Sequence, residues 1–216
     1  MIRELSKQNS ILNRFIAEMR DVDIQKDSMR FRRNLERVGE IFAYEISKEL
    51  NYESVSVQTP LGIADVSLPK NKLALAVILR AGLPLHRGML NYFDTAENAF
   101  ILANRRYGKD NKFSMQVELI SCPSLEKKVL VICEPMLATG ESINLVYNVL
   151  KKKGEPLHTH IVAPIASRDG VEYILKHMFP ENVTLWLGAI DEELTLKSYI
   201  IPGLGDAGDL AYGSKT

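Results

Sequence analysis

From residue 11 the apolar positions recur every three or four residues: Ile11, Leu12, Phe15, Ile16 and Met19, then Leu35, Val38, Ile41, Phe42, Ile46 and Leu50. That is the period of one helix face, and no glycine or proline occurs before Gly39. The pattern predicts that residues 1–50 are helical. A β-rich stretch follows over 54–59, with turn chemistry at Pro60-Leu61-Gly62.

From residue 72 the period changes. Apolar runs at Leu73–Leu79, 99–103, Val129–Cys133, 160–165 and 183–187 are too short for ordinary helices, and most do not alternate. Strands covered on both faces look like this. Amphipathic segments at 84–92, 142–153 and 170–177 separate the runs and predict helices. Alternating β and α units imply an α/β fold with a parallel sheet and right-handed crossovers. One stretch breaks the rhythm. Residues 105–119 are polar, with turn chemistry at Tyr107-Gly108 and Lys109-Asp110-Asn111, after which Phe113, Met115 and Val117 alternate with polar residues. This predicts a β-hairpin flap projecting from the sheet. No repeat, low-complexity tract or linker divides the chain.

Composition narrows the function classes. At 216 residues and 46% hydrophobic, the chain suits one domain with a sizeable core. Its formal net charge is zero, which argues against nucleic acid as a partner. The only cysteines, Cys122 and Cys133, make no disulfide framework and are expected to be reduced, as in a cytoplasmic protein. Cys133 ends an apolar run and reads as a small core residue. Residues 1–20 lack the apolar core of a signal peptide, and no run approaches the roughly 18 residues of a membrane span. The expectation is a cytoplasmic protein without a membrane partner.

The strongest chemical signal lies between Val129 and Ser142. A buried strand ends at Cys133 and Glu134 follows. Pro135, Met136, Leu137 and Ala138 then lead to Thr139-Gly140-Glu141-Ser142, and a helix starts near Ser142. Ligands of open α/β sheets bind beyond the carboxyl ends of strands. A loop entering a helix presents unpaired N–H groups and the positive end of the helix dipole, a seat for phosphate. Gly140 allows close backbone approach, while Thr139 and Ser142 add hydroxyls. Neither G-x-x-x-x-G-K-S/T nor an early G-x-G-x-x-G occurs, so P-loop and dinucleotide folds fit poorly. An acid beside a phosphate seat suits ribose hydroxyls, so the pair points to a ligand with both a sugar diol and a phosphate. On the loop alone, a plain strand–turn–helix connection capped by Ser142 stays open.

In Glu-Pro-Met-Leu-Ala-Thr-Gly-x-Ser this loop resembles the motif with which type I phosphoribosyltransferases bind 5-phosphoribosyl pyrophosphate (PRPP), in the variant of the uracil phosphoribosyltransferase family. Val77-Ile-Leu-Arg-Ala-Gly-Leu-Pro84 resembles that family's first substrate loop, and Tyr199-Ile-Ile-Pro-Gly-Leu-Gly-Asp-Ala-Gly-Asp209 its uracil-binding segment. The resemblance also reaches Phe31 to Glu45. It implies a central, mostly parallel sheet flanked by helices, with N-terminal helices over 1–50, a flap over 105–119 and a C-terminal hood over 189–216. It implies that uracil and PRPP become UMP and pyrophosphate. Glu134 through Ser142 would hold the ribose and 5′-phosphate. Arg80 would contact the pyrophosphate, with a second arginine at Arg105 or its neighbour Arg106. Ile200, Gly205, Asp206 and Ala207 would bind uracil, largely through backbone groups. Asp206 would also stand near the PRPP magnesium, reaching it through water or substrate. The implied cofactor is Mg2+ held mainly by substrate oxygens, and the implied assembly a homodimer or larger homo-oligomer.

The residues lend this reading a physical basis. A chain with Gly203, Gly205 and Gly208 can bend close to a pyrimidine edge and match its alternating donors and acceptors with main-chain groups. Two positions depart from the family, which usually has Asp at 134 and a small residue at 141. Glu141 is tolerable only if its carboxylate faces solvent. A regulatory protein of the same fold that binds PRPP or a nucleotide, with weak or no transferase activity, is the alternative. A transferase for another base is a further one. Arg30, Arg32, Arg33 and Arg37 read as a solvated or subunit-facing surface, with GTP as a candidate effector by the same resemblance. Lys151, Lys152 and Lys153 complement a helix C-terminus. His158 and His160 are too few for a metal site.

Overall fold

The computed structural model describes residues 1–107, 113–178 and 182–214, and of residues 104–107 and 113–115 only the backbone. In chain order the strands are β1 (Ile2–Glu4), β2 (Tyr52–Thr59), β3 (Gly62–Pro69), β4 (Leu73–Leu79), β5 (Glu97–Tyr107) and β6 (Phe113–Ser121). They continue with β7 (Val129–Cys133), β8 (Met136–Leu137), β9 (His158–Ser167), β10 (Val183–Asp191), β11 (Glu193–Leu194) and β12 (Ile200–Ile201). The helices are α1 (Ile11–Arg20), α2 (Ser28–Ser47), α3 (Leu83–Leu90), α4 (Glu141–Lys151), α5 (Arg168–His177) and α6 (Ala207–Tyr212).

The main sheet runs β1-β10-β9-β7-β4-β5-β6, with β8 alongside β9. Every pairing is parallel except β5 with β6. The central strands look uniformly apolar because both faces are covered. In β7, Val129, Val131 and Cys133 join the core under α1, α2, α3 and α6, while Leu130 and Ile132 join the core under α4 and α5. Cys133 is fully buried, and burial pushes its thiol well above the ordinary range, with Glu134 beside it adding to the effect.

The helical period over 1–50 produces α1 and α2, each started by a side-chain cap. Ser10 accepts from the Leu12 amide, and Asp27 accepts from Met29 and Arg30. The first residues, however, are not helical. Residues 2–4 form β1 at the sheet edge, where the Met1 ammonium donates to Val183 O at 3.0 Å. Three residues are too few to show a period. Where α2 crosses α3 the two backbones touch: a carbon added at Gly88 would lie 1.9 Å from Glu36 O, and one at Gly39 2.3 Å from Leu85 O.

Two hairpins differ from expectation. The stretch over 54–59 extends to β2 and returns as β3, which the pattern does not reveal because almost every position of β3 is exposed. The flap is rooted in the sheet, since β5 lies parallel to β4 before it turns into an antiparallel pair with β6. Its tip, residues 108–112, lies outside the described residues. The arginines of α2 are engaged by the protein's own groups. Arg30 pairs with Glu18 and Arg33 with Glu36. Arg32 donates to Ala211 O and Arg37 to Asn34. His160 lies in the core and accepts from Trp186 Nε1 at 3.0 Å. Among the described residues no group of three or more His, Cys, Asp or Glu could hold a metal, and no helix is long and apolar enough to cross a membrane.

Candidate active site

A cavity of about 590 Å³ opens at the carboxyl ends of β4 and β7. Four stretches line it: residues 78–81 at and just beyond the end of β4, residues 134–143 except Glu141 after β7, Ala103 and Glu118 of the β5–β6 hairpin, and Ser198, Tyr199 and residues 205–208 of the C-terminal segment.

The stretch after β7 is more ordered than a loop. The Glu134 amide donates to Val162 O at 3.1 Å, and Met136 and Leu137 then pair with Ile165 and Ala166 of β9. The Leu137 side chain points into the core. Ser167 donates through Oγ to Ala138 O at 2.5 Å and accepts from the Gly170 amide at 2.9 Å, so it locks this stretch to the start of α5. Gly140 then takes a left-handed conformation, φ +79°, and serves as the N-cap of α4. A carbon added there would meet Tyr173 Cδ1 at 2.9 Å. The helix begins at Glu141 rather than Ser142, and no side chain caps it. The nearest substitute is Thr139 Oγ1, 3.4 Å from the Glu141 amide. An uncapped helix start at the end of a buried strand is a ready acceptor of anions. Glu141 is exposed and does not line the cavity, so its carboxylate stays out of that seat.

The C-terminal segment is bent by distant partners. Arg20 holds Asp191 through two hydrogen bonds of 2.7 and 2.8 Å. Arg20 also donates to Gly203 O at 2.8 Å, while the Gly203 amide donates to Asp191 at 2.9 Å. β11 and β12 pair antiparallel, and the Ile201–Pro202 peptide is cis. Beyond this turn Asp206 caps α6, accepting from the Asp209 amide at 2.9 Å. Arg80 follows a cis Leu79–Arg80 peptide and reaches the same segment, donating to Gly213 O and to Asp209.

Of the residues singled out in the sequence, the cavity gathers Arg80, residues 134–140, Ser142, Gly205, Asp206 and Ala207. Ile200 is only 4% exposed and joins the core beside α6 rather than the cavity wall. The Arg105 backbone pairs with Met115 in the hairpin, and its side chain lies outside the described atoms. Ile78, Leu79, Ala81, Ala103, Glu118, Ile143, Ser198, Tyr199 and Gly208 also line the cavity; the first three belong to the quoted string over 77–84, while Ala103, Glu118, Ile143 and Ser198 were not singled out in the sequence. Tyr199 and Gly208 lie inside the quoted C-terminal string. Glu118 had no signal. It is the extra residue of a β-bulge, left over where Leu102 pairs with Leu119 but Ala103 with Val117, and a bulge re-aims a side chain.

A mostly parallel sheet flanked by helices, with its cavity at the carboxyl ends of β4 and β7, is the fold of the type I phosphoribosyltransferases. The solved hypoxanthine phosphoribosyltransferase of Staphylococcus aureus has this fold, with a TM-score of 0.51 over 74% of each chain at 13% identity. More specifically, the chain belongs to the uracil phosphoribosyltransferase family, whose model matches residues 6–214. It is 54% identical to a uracil phosphoribosyltransferase of Porphyromonas gingivalis over 211 residues, 98% of this chain and 97% of that one. Identity to a uracil phosphoribosyltransferase of Pyrococcus furiosus is 36% over 201 residues, 92% of this chain and 84% of that one. A solved protein of Aquifex aeolicus superposes with a TM-score of 0.87 at 30% identity, covering 99% of this chain and 98% of that one.

Proposed function

We propose that the protein transfers the ribose 5-phosphate of PRPP to N1 of uracil, giving UMP and pyrophosphate. The observation that carries this reading is the shared cavity: the glycine turn at 139–142 and the bent segment at 205–207 face one space. The uncapped start of α4 and the hydroxyls of Thr139 and Ser142 bind the 5′-phosphate. Glu134 accepts from the ribose hydroxyls. Backbone groups of Gly205, Asp206 and Ala207, continuing from Ile200, match the uracil edge. As the anomeric C–O bond breaks, charge gathers on the leaving pyrophosphate, and Arg80, with Arg105 or Arg106, stabilises it. Holding both substrates in register removes the entropy of encounter from the chemical step.

Magnesium is the expected cofactor. Among the described residues the acids at the cavity, Glu118, Glu134 and Asp206, form no dense carboxylate cage, which suits an ion carried on substrate oxygens and water. Such an ion supplies positive charge to the leaving group.

The direct test is an assay with uracil, PRPP and magnesium, reading UMP and pyrophosphate in equal amounts. Product from another base and none from uracil would overturn the base assignment. We further assign the protein a homo-oligomeric state, supported by the β2–β3 hairpin, which holds Leu61 and Ile63 out at 101% and 73% exposure. Sedimentation velocity tests it. The cytoplasmic assignment is supported by two free thiols, Cys122 and Cys133. GTP as an effector at the α2 arginines has to displace partners already in place, and a GTP titration of turnover tests it.

A further inference from the structure

Arg80 is tethered to α6 and the residue that follows it, at positions beyond the part of that helix that lines the cavity. Its Nη2 donates to Gly213 O at 2.5 Å and to Asp209 Oδ1 at 3.3 Å. Its Nε is buried and has no partner among the described residues. One end of the guanidinium is therefore fixed by the C-terminal segment, while another donor goes unsatisfied beside the cavity. A buried donor left without an acceptor costs about 1–3 kcal/mol, and a ligand oxygen in the cavity is one acceptor that would satisfy it. Asp209 does not line the cavity, so it touches the reaction only through Arg80.

The helix that carries Asp209 is itself held in place. Asp206 caps its first turn through the Asp209 amide. Arg32, from α2, donates to Ala211 O at 2.6 Å on the other side. Ala207 and Ala211 are buried beneath it. Gly208 sits against the Arg80 loop, where an added carbon would lie 3.8 Å from Ala81 Cβ. A carboxylate on so constrained a support can fix the orientation of a charged partner, as second-shell acids fix the ligands they touch.

We infer that Asp209 is a positioning residue for the transfer: through Arg80 it keeps the leaving-group donor in register with the segment that seats the base. The inference rests on the reading of Arg80 as a pyrophosphate contact. Its signature is a loss in kcat with the KM for uracil unchanged, because Asp209 meets neither substrate.

The test compares Asp209→Ala, Asp209→Ser and Asp209→Asn, each alone and combined with Arg80→Ala. Truncation removes only the side chain, since the Asp209 amide stays with Asp206 and alanine suits a helix. Asp209→Ala is expected to lower kcat about tenfold, the effect of one charge-assisted hydrogen bond, with melting temperature and uracil KM unchanged. Asp209→Ser, too short to reach Arg80, repeats the loss if the alanine variant folds poorly. Asp209→Asn keeps an acceptor oxygen and restores most of the rate. In the Arg80→Ala background none of these substitutions slows turnover further. A full wild-type rate in both truncations, or the same tenfold loss on top of Arg80→Ala, overturns the inference and leaves the role of Arg80 standing. Wild-type turnover in Arg80→Ala alone instead removes the pyrophosphate reading, and this inference with it.

Discussion

The two walls of the cavity bend the chain by opposite means. The stretch over 134–142 takes its shape from regular structure on either side: β7 before it, β8 against β9 within it and α4 after it. Its partners are near in space and belong to adjoining elements. The C-terminal wall has almost no regular structure, two short strands and a helix of six residues. It is tied down by side chains from remote parts of the chain: Arg20 at Asp191 and Gly203, Arg32 at Ala211, and Arg80 at Asp209 and Gly213. Under the proposed function, the wall built on regular structure meets the constant part of a substrate, its phosphate. A laced wall can be shaped to a particular base, and it depends most on its one buried lace, Arg20 with Asp191.

The largest expected effect comes from the residue that joins the walls. Arg80→Ala should lower kcat about 10²–10³-fold, the usual cost of removing one transition-state donor, in a protein that melts normally. Cutting a lace comes next. Asp191→Ala leaves Arg20 without its carboxylate and the Gly203 amide without its acceptor, and should destabilise the fold by about 3 kcal/mol. It should raise the KM for uracil more than the KM for PRPP, which thermal melts and steady-state kinetics on one preparation will show. An equal rise in both would mean that the walls are not independent. Gly140→Ala strikes the other wall. The left-handed backbone costs a side chain about 1–2 kcal/mol and the added carbon would meet Tyr173 Cδ1 at 2.9 Å, so the turn must shift and the KM for PRPP should rise with the uracil KM unmoved.

The smallest effect on catalysis comes from a core residue of β9 that does not line the cavity. Burial first, and the neighbouring His158 second, pull the His160 imidazole down to about 3. The unfolded chain then binds more protons than the folded one between that value and the ordinary 6.5. His160 thus contributes stability that is fully present above pH 6.5 and is lost as pH falls toward 3, at up to about 1.4 kcal/mol per pH unit. Denaturant melts at several pH values will show the slope, and His160→Gln should flatten it while leaving both KM values at neutral pH unchanged.

How much of this was legible in the sequence follows the same division. The wall over 134–142 could be read locally, because a buried apolar run, an acid and a Thr-Gly pair occur in succession. The error there was small: the helix starts one residue early, on Glu141, with Gly140 rather than Ser142 as its cap. Residues 135–138 read as loop because a two-residue strand has no period to show. The C-terminal wall was legible as a glycine-bearing string, but not its laces, since no local pattern ties Arg20 to Asp191 or Arg80 to Asp209. The burial of the Ile200 side chain is hidden from the sequence for a related reason: where it points is set by packing next to α6, not by its neighbours in sequence. The bulge that turns Glu118 into the cavity depends on pairing register, which only the folded hairpin defines.

The glycine contact between α2 and α3 has a bearing on mutational screens. α3 springs directly from the turn that bears Arg80, and its path is set by two backbones in touch at residues 39 and 88. A methyl at either place would wedge the helices apart and carry that turn with them. In a survey scored by growth or product yield, both positions would register as intolerant and be mistaken for participants in the chemistry, although neither offers a functional group. Separating spacers of this kind from reactive side chains calls for a folding readout taken beside every rate.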